Sequence, residues 1–180
     1  MRTRTAWSIL TLVVVVIVLM VIGLMRFNLS AMKEPGRLET VVANGAARFV
    51  IRRLASRQGL PPRPVDTKAS VASGGTSYSS ECGMCHGNDG RTQTPTGRWM
   101  YPRAADLTSA QVQSYSDQEL FWIVQNGIRC TGMPAFGQVE TGDHIWNLVN
   151  YVRTLPGALG NQSRLSSERL EKQMPERKEK

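Results

Sequence analysis

Between Ala6 and Met25 the chain reads AWSILTLVVVVIVLMVIGLM, with no charged residue in the run. An apolar stretch of roughly 20 residues matches the hydrocarbon thickness of a bilayer at helical rise. A lone segment in lipid can satisfy its backbone polar groups only by forming a helix. The competing reading is a cleaved signal peptide, for which MRTRT would be a suitable positive n-region. Such peptides carry an apolar core of about 7–15 residues with small residues before the cut. Here the core is longer, and Leu29 stands where a small residue is wanted. A retained membrane anchor is therefore expected over residues 1–33, its helix at about 6–25. Charge does not orient it: Arg2 and Arg4 precede the span, while Arg26, Lys33 and Arg37 lie after it.

The net charge of +8, from 22 basic and 14 acidic residues, first suggests nucleic acid. Counting by segment removes that suggestion. Residues 1–68 hold 11 basic and 3 acidic groups, residues 69–163 hold 5 and 7, and residues 164–180 hold 6 and 4. The surplus lies beside the apolar run, where basic residues 26–57 suit an anionic lipid surface better than DNA. No nucleic-acid partner is expected.

Glu34-Pro35-Gly36 separates the anchor from the rest of the chain. From Leu38 to Gln58, Leu38, Val41, Val42, Ala46, Phe49, Val50 and Leu54 recur at helical spacing, with Arg48, Arg52, Arg53 and Arg57 among them. Such a basic amphipathic helix can lie in a membrane interface, or pack on a partner or on its own domain. GLPPRPVDTKASVASGG then reads as a linker stiffened by Pro61, Pro62 and Pro64, so that residues 34–72 form helix plus linker. The compact domain is expected over 73–160 and a charged tail over 161–180. Within the domain, helices are expected at Gly74–Cys82, at Asp117–Asn126 with a cap from Ser116 or Asp117, and at Asp143–Leu155, ending before Pro156. Trp122 and Trp146 sit on apolar helical stripes and read as core. No segment alternates with period two, so the fold class is all-α.

Two of the three cysteines fall in C-x-x-C-H: Cys82, Gly83, Met84, Cys85, His86. The spacing sets both sulfurs on one side of a turn, beside an imidazole, which is the pattern of covalent haem attachment. A thiol redox pair is the rival, although no βαβ context is visible. Zinc would need a fourth ligand. Downstream, NGIRCTGMPAFG presents Met133 between Gly132 and Pro134 in a loop after a helix, an unusual place for a methionine that only fills a core.

CGMCH with GMP downstream resembles the class I, monohaem c-type cytochromes, in particular the small membrane-anchored bacterial ones. Gly74, Tyr78 and Cys82 match that family's N-terminal helix, and LVNYVRTL matches its partner helix, with Leu148, Tyr151 and Val152 on the contacting face. The resemblance implies a class I cytochrome c fold of short helices around one haem c attached through Cys82 and Cys85. It implies His86 as proximal and Met133 as distal iron ligand. It also implies maturation outside the bacterial cytoplasm: an inner-membrane protein with Met1 to Thr5 inside and residues 26–180 periplasmic.

Two departures stand out. Where the family often has Pro-x-Leu, this chain has Ala105-Asp106-Leu107, so the carbonyl expected to hold the proximal imidazole comes from alanine, with Leu107 over the ring. Cys130, three residues before Met133, reads as a small buried hydrophobe, a disulfide link to a partner, or a competing ligand. His144 reads as a surface or capping residue, with distal ligation the minor alternative. Arg98, Trp99, Tyr101 and Arg129 are candidates to hydrogen-bond the propionates.

These residues point to single-electron transport between membrane redox proteins or within a respiratory complex, and not to catalysis. A haem enzyme or gas sensor with an exchangeable distal position is the alternative. A C-x-x-C thiol oxidoreductase is the third reading.

Overall fold

The structure is a computed structural model that describes residues 2–26, 30–63, 65, 68–91 and 94–173, with side chains over 7–25, 30–63, 65, 68–91 and 94–157. Leu29, Pro64, the side chains of Arg2, Arg4 and Arg26, and the tail beyond Gln173 lie outside the described residues. The chain divides into two units, Met1–Ala31 and Met32–Lys180. The first is helix α1, Arg2–Arg26. Its segment Trp7–Met25 is long and apolar enough to cross a membrane, and its side chains are exposed throughout.

The second unit is helical, with no strand among the described residues. In chain order it contains α2 (Arg37–Ala55), α3 (Lys68–Glu81), α4 (Gly83–His86), α5 (Pro95–Trp99), α6 (Ala110–Gln113), α7 (Asp117–Asn126), a 3-10 turn at Phe136–Gln138, and α8 (Gly142–Gln173). Its central contact is the crossing of α3 on α8. Tyr78 packs there with Leu148, Val152 and Leu155, and its ring centroid lies 5.1 Å from that of Tyr151. The crossing is close because position 74 is glycine. A Cβ there would lie 2.6 Å from the Asn147 carbonyl carbon and nearer still to its oxygen. On the neighbouring face of α8, Ile145, Trp146 and Val149 pack with Leu120 and Phe121 of α7. The Phe121 and Trp146 rings are 4.5 Å apart. Ser116 begins α7 with a capping box: its Oγ accepts from Glu119 N (3.2 Å), and its own N–H donates to Glu119 (2.6 Å).

Several expectations about the elements are corrected. Leu60, Pro61 and Arg63 are not part of a free linker. Leu60 packs against the Phe121–Trp146 cluster, the Trp146 indole N–H donates to the Pro61 carbonyl (3.1 Å), and Arg63 donates to Asn150 (3.0 Å) and Asp117. Pro61, which suggested a spacer, instead belongs to a segment laid on the core. It hides the indole and supplies buried Asn150 with partners it would otherwise lack. Helix α3 accordingly starts at Lys68 rather than Gly74, with Ser70 donating to Asn147 (2.5 Å) and accepting from Asn150 (2.9 Å).

Helix α8 does not stop before Pro156 but carries the proline inside it. The proline costs one hydrogen bond, and the turns before it are held by the packing of Val149, Val152 and Leu155. Trp122 is only half-buried, and its neighbour Phe121 takes the core position because it is the one on the α8 face.

Helix α2 packs on α7, but not through the stripe read from its sequence. It buries Ile51 and Ala55. Arg48 donates to the Ser114 carbonyl and hydroxyl (3.0 and 2.8 Å) and stands 4.8 Å over the Tyr115 ring. Leu38, Val41, Val42 and Phe49 remain exposed.

Candidate cofactor site

Helix α3 delivers the C-x-x-C-H residues. It ends at Glu81, and Cys82 caps α4. Cys82 N–H still donates to Tyr78 O, and His86 N–H to Cys82 O, both at 2.9 Å. The helical path thus persists through the motif and keeps positions 82, 85 and 86 on one side. The buried Tyr78 hydroxyl donates to the Gly87 carbonyl at 2.8 Å, clamping the backbone just past His86.

The imidazole is oriented from the other side. His86 Nδ1 lies 2.9 Å from the Ala105 carbonyl, so Nδ1–H donates and Nε2 keeps its lone pair free. Burial pushes the His86 pKa below the ordinary histidine value, against the opposing effect of the Ala105 bond. A neutral ring with a fixed tautomer is the form a metal binds.

The loop carrying Ala105 is pinned at both ends, by Ala104 N–H to Gly97 O (3.0 Å) and Leu107 N–H to Gly90 O (2.7 Å). Alanine therefore replaces the expected proline without loss of the carbonyl, and Leu107 packs half-buried on the Tyr78 cluster. Helix α5 braces Cys85. Thr94 Oγ1 donates to the Cys85 carbonyl and accepts from Gly97 N–H, each at 3.0 Å. Gly97 lies so close to that carbonyl that a Cβ would sit 2.9 Å from its carbon.

Two rival uses of the cysteines fit poorly. Burial, helped by Glu81 and Cys85, pushes the Cys82 thiol up to about 12. A thiol redox pair needs a thiolate near neutral pH. Among the described residues, the side chains that converge well enough to hold one ion are Glu81, Glu140 and His144, none of them from the motif. Cys82, Cys85 and His86 are thus not arranged around a single zinc. Free sulfurs beside a pre-oriented neutral imidazole fit a haem, which takes the sulfurs at its edge and the nitrogen at its iron.

Met133 sits half-buried on a compact loop after α7. The helix ends at Gly127, whose φ of 65° favours glycine. Ile128 N–H then donates to the Met133 carbonyl (3.3 Å), Thr131 Oγ1 donates to Ile128 O (2.7 Å), and Met133 N–H donates to Thr131 Oγ1 (3.1 Å). Cys130 lies at the turn of this loop with φ of 61° and is exposed. The expectation of a small buried hydrophobe is therefore corrected: the tight return of the chain from Ile128 to Met133 turns residue 130 outward.

Met100, which sequence reasoning missed, joins the two halves of the site. Its Sδ would be 2.5 Å from a Cβ at Gly132, so the segment after α5 rests on the residue before Met133. Nothing in the sequence separates Met100 from an ordinary core methionine.

Arg98, Trp99 and Arg129 are exposed. Tyr101 donates its hydroxyl to Glu39 of α2, which raises its pKa, and Arg103 pairs with Glu34 (2.6 Å). His144 lies between two carboxylates, with Nε2 3.0 Å from Glu81 and Nδ1 3.4 Å from Glu140, tying the start of α8 to the end of α3.

Residues 69–152 match the family model described as cytochrome C oxidase, cbb3-type, subunit III. No curated protein matches the chain significantly. A solved structure, the Kuenenia stuttgartiensis reducing HAO-like protein complex Kustc0457/Kustc0458, is similar at 28% identity and a TM-score of 0.48, over 54% of this chain and 47% of that one. The chain thus spans under half the length of that neighbour. With the motif at the end of α3, the imidazole on the Ala105 carbonyl and the family match over the same helices, residues 69–152 are a c-type cytochrome domain.

Proposed function

We propose that this chain is a membrane-tethered monohaem electron carrier, free or as a subunit of a larger membrane complex, working on the periplasmic side. Cys82 and Cys85 would hold one haem c through their sulfurs, and His86 and Met133 are the residues that would bind its iron. When bound, the haem supplies an iron that passes one electron at a time by changing between ferric and ferrous states. The protein's part is to keep ligation constant during that change. The Ala105 carbonyl holds the imidazole in one tautomer. The loop from Ile128 to Met133 is fastened by its own hydrogen bonds, so the thioether stays in place. Iron held by both Met133 and His86 would have a raised reduction potential and little room for oxygen or substrate, which favours electron transfer over catalysis. The anchor would hold the domain near membrane redox partners and raise its local concentration.

The observation that carries this reading is the bond between His86 and Ala105, inside a domain that matches a cytochrome family over the same residues. The test is intact-mass analysis and absorption of the chain matured in a host that attaches haem c. The expected result is the added mass of one haem and, in the oxidised form, the weak far-red band of methionine-bound ferric iron. Absence of the added mass overturns the reading. A haem-loaded but high-spin protein without the band would assign it instead to the enzymes or gas sensors.

A further inference from the structure

Helix α2 presents an apolar face that its own domain does not cover. Leu38, Val41, Val42 and Phe49 are 77%, 70%, 61% and 67% exposed. With Gly45 they keep i, i+3, i+4, i+7 and i+11 spacing, which is one face of a helix. The face packed on α7 is the other one: Ile51 lies two positions beyond Phe49, about 200° around the axis. Arg52 and Arg53, three and four positions beyond Phe49, continue the apolar face into positive charge, and Arg57 comes next, all three exposed. Large exposed apolar patches of this kind mark interaction sites.

Reach identifies the occupant. Leu60, Pro61 and Arg63, just after α2, lie on the domain, so they give α2 no slack. Glu34 is tied to Arg103. Only residues 26–33 separate the end of the apolar span from the first fixed point of the second unit, a reach of at most about 30 Å. We infer that α2 lies in the plane of the membrane, its Leu38–Phe49 face in the acyl boundary and its arginines on anionic headgroups. Long basic side chains reach headgroup phosphates while their stems stay apolar. This arrangement would fix the haem domain against the bilayer through α2. The inference rests on the proposed membrane anchor, which a label at position 14 tests separately.

The full haem-loaded chain, carrying Cys130→Ser, is reconstituted in vesicles containing phosphatidylglycerol. A nitroxide is attached in turn at Val42→Cys, Phe49→Cys, Thr154→Cys and Val14→Cys. Collisions with oxygen, which concentrates in lipid, are compared with collisions with a water-soluble nickel chelate. The labels at 42 and 49 should show a several-fold higher oxygen-to-nickel ratio than the label at 154. Arg52→Gln combined with Arg53→Gln and Arg57→Gln should lower that ratio. Labels at 42 and 49 as open to nickel as the one at 154 would overturn the inference, leaving the face to a protein partner. A label at 14 that is open to nickel would instead refute the anchor itself.

Discussion

Replacing Gly74 by alanine isolates the contact on which the helix leading into the C-x-x-C-H motif depends. In the middle of α3 the substitution should help, since alanine is favoured over glycine in helix interiors by about 1 kcal/mol. The crossing with α8 opposes it. The new Cβ would stand 2.6 Å from the Asn147 carbonyl carbon and 3.0 Å from Tyr151 Cβ, where carbon atoms prefer roughly 3.5–4.0 Å. The obstruction is backbone, which cannot rotate away, so the two helices must part by about 1 Å. Such a gap forfeits up to about half of the dispersion energy of the atoms it separates. Here those atoms belong to Tyr78, Leu148, Val152 and Leu155.

Overpacking of this type costs typically 1–3 kcal/mol or more. With a backbone obstacle the upper end applies, leaving a net loss of about 2 kcal/mol after the helix-propensity gain. For a domain of this size that lowers Tm by roughly 8–16 °C. The assay is thermal unfolding of the haem-loaded chain in detergent, monitored at the Soret band. Gly45→Ala is the control, because a Cβ there meets nothing within 4 Å; it should leave the midpoint unchanged or raise it. If Gly74→Ala melts with or above the wild type, the close crossing is not what seats α3.

Tyr78→Phe leaves the buried Gly87 carbonyl without its donor and should cost about 1–3 kcal/mol, read as a lower midpoint in the same assay. Burial, the largest cause, raises the Tyr78 pKa above the ordinary tyrosine value. The unfolded chain therefore releases this proton first, and stability contributed by Tyr78 falls as pH rises above about 10. The Tyr78→Phe variant should lose stability less steeply than wild type between pH 10 and 12; equal slopes would refute this. Met133→Ala should abolish the far-red band and lower the reduction potential in a redox titration, while the attached mass of haem stays unchanged. Titration of the folded, haem-loaded protein with a thiol reagent should find one reactive thiol per chain, from exposed Cys130, and none in Cys130→Ser. Two or three reactive thiols would mean that Cys82 or Cys85 is unattached.

Much of the cytochrome was open to reading from the chain alone, because its chemistry is local. C-x-x-C-H places two sulfurs and an imidazole within one turn whatever surrounds them. The uncharged run from Ala6 to Met25 allows one backbone form in lipid. The four-residue spacing of Gly74, Tyr78 and Cys82 already puts a small residue, a ring and a sulfur along one helix edge. Asp117–Asn126 was equally legible, since Ser116 and Glu119 form a capping box within four residues.

What spacing could not decide depends on atoms far apart in sequence. The prolines at 61 and 62 suit a spacer or a docked segment equally. Only the Trp146 indole and the Asn150 amide, more than eighty residues on, decide for docking. Period alone put Leu38, Val41, Val42 and Phe49 on one apolar stripe without saying what covers it, and α7 meets α2 through Ile51 and Ala55 and leaves that stripe bare. The outward turn of Cys130, the rest of Met100 on Gly132 and the placing of His144 between two glutamates likewise arise from tertiary closure. Short-range geometry is written into residue order, whereas burial is a property of what the rest of the chain brings alongside.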